Sequence, residues 1–249
     1  MKNILALASI CVGLVCAQAP APHQKAIVFS DGGGAIAHFL DGDGWKTTLT
    51  LVNLDATQAS FTISFFGDDG NPLAFNINGV LTSTLSGVIS ARGAYAMTTS
   101  GTKTALSEGW AKTFSYNTIG GTAVFQRLGQ NQEASEVLET NLSAQLVLPF
   151  DHTNGYATGV ALVNPFSYES IPVTVTFRDQ YGNIFLTDTF TLSQQQHIGI
   201  TLTQRYPASI GAQGTVTFTT SALWLNALGM RFSPAGFFST VTPLSAVGW

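Results

Sequence analysis

Short runs of alternating apolar and polar residues fill the chain, and one of them is used twice. Gly44-Trp45-Lys46-Thr47-Thr48-Leu49-Thr50-Leu51-Val52-Asn53 returns 111 positions later as Gly155-Tyr156-Ala157-Thr158-Gly159-Val160-Ala161-Leu162-Val163-Asn164. Each copy gives a loop, an aromatic and an alternating strand that closes on Leu-Val-Asn. A second echo follows: Phe65-Phe66-Gly67-Asp68-Asp69-Gly70-Asn71 against Phe177-Arg178-Asp179-Gln180-Tyr181-Gly182-Asn183. Self-similarity at a fixed spacing marks a duplicated structural unit.

Alternation assigns the faces. In the first copy Leu49 and Leu51 point one way and Thr48 and Thr50 the other, and Phe61, Ile63 and Phe65 oppose Thr62, Ser64 and Phe66. Val160 and Leu162, then Val173, Val175 and Phe177, take the same inward places in the second copy. Further strands are predicted over 73–77, 81–85, 94–98, 109–116, 121–127 and 135–138. Gly214-Thr215-Val216-Thr217-Phe218 echoes Gly109-Trp110-Ala111-Lys112-Thr113. The stretch 130–139 is the one candidate for a longer helix, and 203–209, around Pro207, fits a single helical turn. Seven or eight short strands in each half, separated by Gly, Asp and Asn turns, predict an all-β chain. The expected architecture is two tandem immunoglobulin-like Greek-key β-sandwich domains, over 35–145 and 146–249. The same pattern is compatible with barrels and jelly rolls.

Composition narrows the class. Of the 249 residues 45% are apolar and only 10% charged, far from the composition of a disordered chain. Net charge is −4 without a basic block, which argues against nucleic acid as a partner. Met1-Lys2-Asn3 and the apolar run over 4–15 read as a secretory signal peptide over 1–17, too short to cross a bilayer as a helix. Both cysteines, Cys11 and Cys16, fall inside it, so the mature chain is expected to have no disulfide and no thiolate chemistry. The expected location is secreted or extracellular, with the periplasm as the alternative, and no transmembrane segment is expected in the mature chain. A leader over 18–34 carries the apolar run Ala26-Ile27-Val28-Phe29-Ser30, followed by Asp31-Gly32-Gly33-Gly34. An unpaired apolar strand is an aggregation hazard, so this run is expected to pair with a sheet edge, its own or, by self-assembly, a neighbour's.

The pattern carried by Gly44 to Asn53, Phe65 to Asn71 and Gly109-Trp110-Ala111 resembles tandem β-sandwich repeats of secreted proteins from environmental bacteria. That resemblance implies export and the sandwich fold, and it brings no catalytic residue with it.

No sequence motif names a reaction. There is no Gly-x-Ser-x-Gly elbow, and Gly32-Gly33-Gly34 lacks the Lys-Ser/Thr of a phosphate loop. Asp41-Gly42-Asp43-Gly44 has the look of a calcium-loop fragment, yet Val52 stands where an EF-hand would need Glu, and turn chemistry explains it equally. His38 near Asp41, and His152 beside Asp151, are read as surface or strand-end histidines; no metal and no cofactor is expected. The candidate site residues are aromatics: Trp110, Phe114 and Tyr116 on the outward phase of their strand, Phe66 on the outward phase of its own, and Trp45 and Tyr156 at strand starts. Outward aromatics serve either interdomain contact or binding of a protein or glycan partner. The expected role is a non-enzymatic binding or structural module of the cell surface or matrix, acting through protein contacts. The alternative is a carbohydrate-binding module.

Overall fold

A computed structural model describes residues 27–28, 33–221 and 225–245. The signal peptide and most of the leader, including Gly32, lie outside the described residues. The described chain is all-β. Its first half has β1 (Gly34–Asp41), β2 (Trp45–Asn53), β3 (Ala59–Gly67), β4 (Thr84–Ile89), β5 (Ala94–Thr98), β6 (Ser107–Ser115), β7 (Ile119–Arg127) and β8 (Gln132–Val137). These pair antiparallel in two sheets, ordered β4-β3-β6-β1 and β5-β2-β7-β8. The second half has β9 (Gln145–Asp151), β10 (Ala157–Val163), β11 (Ile171–Asp179), β12 (Ile184–Leu192), β13 (His197–Thr201), β14 (Gln213–Thr220), β15 (Asn226–Phe232) and β16 (Phe238–Val241). The pairing order recurs strand for strand as β12-β11-β14-β9 and β13-β10-β15-β16, with Leu244–Ser245 added at the β9 edge.

The stretch over 130–139 is strand, not helix: inward Ala134 and Glu136 alternate with exposed Ser135 and Val137 on β8. A short helix at Leu202–Arg205 and a 3₁₀ turn at Pro207–Ser209 occupy the predicted helical turn. Ile27–Val28 pairs antiparallel with Asn141–Leu142 of the same chain. Among the described residues no helix is long and apolar enough to cross a membrane.

The inward sets land as the alternation predicts. Leu49, Leu51, Ile63, Phe65, Leu162, Val173, Val175 and Phe177 are all fully buried. The repeated Leu-Val-Asn has a further cause. Asn53 donates its side-chain amide to the carbonyls of Thr57, Ile89 and Ser90 and accepts from the Asp55 N–H. Asn164 does the same with Glu169, Leu192, Ser193 and the Phe166 N–H. One amide thereby satisfies the loop backbone at the end of each copy's second strand, where an unpaired buried carbonyl would cost roughly 1–3 kcal/mol.

Where the copies diverge, the two halves meet. Thr48 and Thr50 of β2 correspond to Gly159 and Ala161 of β10. The outward faces of β10 and β15 are covered: Ala161, Val163, Leu228 and Met230 share one apolar cluster with Ile36, Phe39 and the rest of the first core. A strand buried on both faces needs no polar phase, so alternation weakens there. The turn after β3 docks on the turn before β13, where a Cβ at Gly70 would collide with the Gln194 carbonyl.

Candidate functional site

The seam between the halves contains the one group of three or more metal-capable side chains among the described residues: His38, Glu108 and His197. A β-bulge positions the first. On β1, Ile36 pairs with Ala111 and Phe39 with Gly109 of β6, so Ala37 and His38 together oppose Trp110. Such a bulge leaves N–H groups outside the ladder and re-aims a side chain. Glu136, an inward carboxyl on β8, accepts from the Ala37 N–H at 2.6 Å and the His38 N–H at 3.2 Å. Burial pushes its pKa up to about 8, against the pull of those two backbone donors, with the Glu139 charge adding to the rise.

His38 Nδ1 lies 3.3 Å from His197 Nε2, the rings stacking with centroids 5.4 Å apart. Glu108 Oε1, from the start of β6, is 3.8 Å from His38 Nδ1. The other His197 nitrogen, Nδ1, sits 2.7 Å from Asp68 Oδ1. We assign the His197 proton to Nδ1, since a carboxylate oxygen there only accepts; Nε2 is then left with a lone pair facing His38. Gly199, two residues on, makes room for the carboxyl: a Cβ there would overlap Glu108 Oε1. Burial, then the neighbouring His197, lowers the His38 pKa to about 3, and burial raises that of Glu108. Each shift disfavours the charged form of its group. His38 and Glu108 line a cavity of about 280 Å³ together with Gly159, Ala161, Leu228, Met230 and Phe232.

The chain matches no protein-family model, no curated protein and no solved structure.

The expected histidine placement is corrected by this geometry. His38 does not pair with Asp41; it meets His197, 159 residues away, and His197 is fully buried. His152 is buried too, its Nδ1 against the Ser209 backbone carbonyl and hydroxyl, and burial lowers its pKa. Sequence spacing held no signal for a cluster drawn from three strands and a turn. The Asp41/Asp43 fragment resolves into turn chemistry: Asp41 is buried and accepts from the Gly101 N–H at 2.7 Å, with Lys103 at 3.8 Å, while Asp43 is exposed at φ 48°.

The aromatics divide into three groups. Trp110 faces outward from its own sheet as its phase predicts, yet is 0% exposed. Its indole N–H donates to the Gln195 carbonyl at 2.8 Å, and Phe66 stacks on it at 4.8 Å. Phe114 and Tyr116 stay at the surface, 39% and 84% exposed, with their rings edge-to-face at 82°. Trp45 and Tyr156 each carry an arginine from the neighbouring strand: Arg127 lies 5.0 Å over Trp45 and Arg231 3.6 Å over Tyr156. Phe238 contacts Trp45 at 5.0 Å, and two adjoining clefts share Ala235 and Phe238 as their common wall.

Proposed function

We propose that the chain is an exported, non-enzymatic binding or structural module of the cell surface or extracellular matrix, acting through protein contacts. Its build is read as two tandem immunoglobulin-like Greek-key sandwiches. The pairings β2–β5 and β3–β6, and their counterparts in the second half, support this reading, since they match the B–E and C–F pairs of an immunoglobulin sandwich. The first and seventh strands exchange sheets relative to that plan, β1 lying beside β6 and β7 beside β2.

The observation that carries this reading is the burial of Trp110 between the halves. The aromatic best suited to stack a ligand is committed to the seam, where it joins the halves through Gln195. What remains outward at that strand end is Phe114 and Tyr116, whose 82° interplanar angle denies a sugar ring a coplanar platform and suits a protein side chain. The glycan alternative draws on a different place, the clefts beside Trp45, Tyr156 and Phe238 with their arginine rims.

Binding of the full chain to cell envelopes separates the two readings. Protein contact predicts that binding falls when the envelopes are protease-treated and when Tyr116→Ala is introduced, and persists after periodate oxidation of glycans. Loss on periodate treatment, together with loss on Trp45→Ala, would replace the first reading with the second.

A further inference from the structure

We infer that His38, Glu108 and His197 form a divalent transition-metal site that ties the two halves together across the seam, a property separate from the surface contacts proposed above. Zinc or another borderline cation is the class that two imidazoles and one carboxylate select.

Three observations carry the inference. The first is spacing. Ligand atoms around a tetrahedral zinc with bonds of about 2.0–2.1 Å stand roughly 3.3–3.4 Å apart; His38 Nδ1 and His197 Nε2 are 3.3 Å apart. Glu108 Oε1 follows at 3.8 Å, and one ligand atom from each of the three residues lies within 4.8 Å of the others. The second is the outer support. The Asp68 carboxylate behind His197 Nδ1 is the carboxylate–histidine arrangement that fixes the ring and frees Nε2 for a metal. The third is preparation of the pocket. The bulge held by Glu136 delivers His38, and Gly199 clears the space for Glu108. Three protein ligands leave a fourth position of a tetrahedral site unfilled, and two of them, His38 and Glu108, line the 280 Å³ cavity.

Without an ion the same geometry supports a hydrogen bond from His38 Nδ1–H to His197 Nε2. Metal binding requires His38 to carry its proton on Nε2 instead, and the experiment decides between the two. The metal-free full chain is titrated with Zn²⁺ by calorimetry and with Co²⁺ by visible absorption. The expected result is one equivalent bound, with cobalt ligand-field bands of a low-coordinate nitrogen–oxygen site. Asp68→Asn, at a largely exposed carboxylate, should weaken affinity about 10- to 100-fold, and His38→Gln should abolish stoichiometric binding. No saturable heat and no cobalt bands in the unaltered chain would overturn the site without reliance on any variant. Binding of unchanged strength in both variants would overturn it equally, by placing the ion elsewhere.

Discussion

Glu136 offers the sharpest test of how the seam is held. It is 7% exposed and its two oxygens take the two N–H groups that the bulge at Ala37 and His38 leaves outside the ladder. Glu136→Ala strands both donors, and each unpaired buried N–H costs about 1–3 kcal/mol, so the loss should be roughly 2–6 kcal/mol. Glu136→Gln keeps one carbonyl acceptor and presents an amide NH2, itself a donor, to the other N–H, which predicts about half of that. The pH dependence gives an independent reading. With a folded pKa of about 8 against an ordinary 4.5, the folded chain holds a proton that the unfolded chain has released. Stability from this group is therefore complete below pH 4.5 and is lost as pH rises through 8. His38 acts in the opposite sense: its folded pKa of about 3 against 6.5 gives stability that is present above pH 6.5 and lost as pH falls toward 3. The two slopes offset one another between pH 4.5 and 6.5. From 6.5 to 8 Glu136 acts without that opposition, and one proton at about 1.4 kcal/mol per pH unit predicts a fall of about 2 kcal/mol. Urea unfolding at pH 6.5 and 8 measures it, and Glu136→Gln should remove that fall. A variant that keeps the full decline, or a Glu136→Ala chain as stable as the original, would refute the assigned role.

Two further substitutions probe the core and the seam. Trp110→Ala should cost about 3–5 kcal/mol, the range for a buried large aromatic, and speed proteolysis of the turn around Gln195; a cost under about 1 kcal/mol would return Trp110 to the list of ligand contacts. Leu51→Ala and Leu162→Ala, at equivalent buried positions, should each cost about 2–5 kcal/mol in chemical denaturation, and a near-zero value at either site would break the equivalence of the two copies.

Much of this fold was readable from alternation, and the failures have physical causes. The inward phases of β2, β3, β10 and β11 followed from Leu, Val, Ile and Phe at every second position, because one face of each sheet meets a core. The outward phase of Trp110 was also legible; its burial was not, since phase tells which side a residue faces and not what covers that side. A hint was present in the second copy, where Gly159 and Ala161 replace the polar Thr48 and Thr50, as a face hidden by another sheet allows. The site itself was hidden for a different reason. His38 reaches His197 through a bulge that breaks the period-two count, and the carboxyl that stabilises the bulge lies nearly a hundred residues further on. Glu136 did leave a trace, as an acid on the same phase as Ala134 in a chain with few charges. The helical reading of 130–139 obscured it, because Gln, Glu, Ala and Leu favour a helix until a neighbouring strand supplies the partner.

A shared apolar cluster and the Trp110–Gln195 hydrogen bond make the two halves one cooperative body, a claim that scanning calorimetry of the full chain measures. One unfolding transition with a calorimetric enthalpy about equal to the van't Hoff enthalpy is predicted, with Trp110→Ala splitting or broadening it. Two independent transitions in the unaltered chain, each insensitive to Trp110→Ala, would contradict the claim.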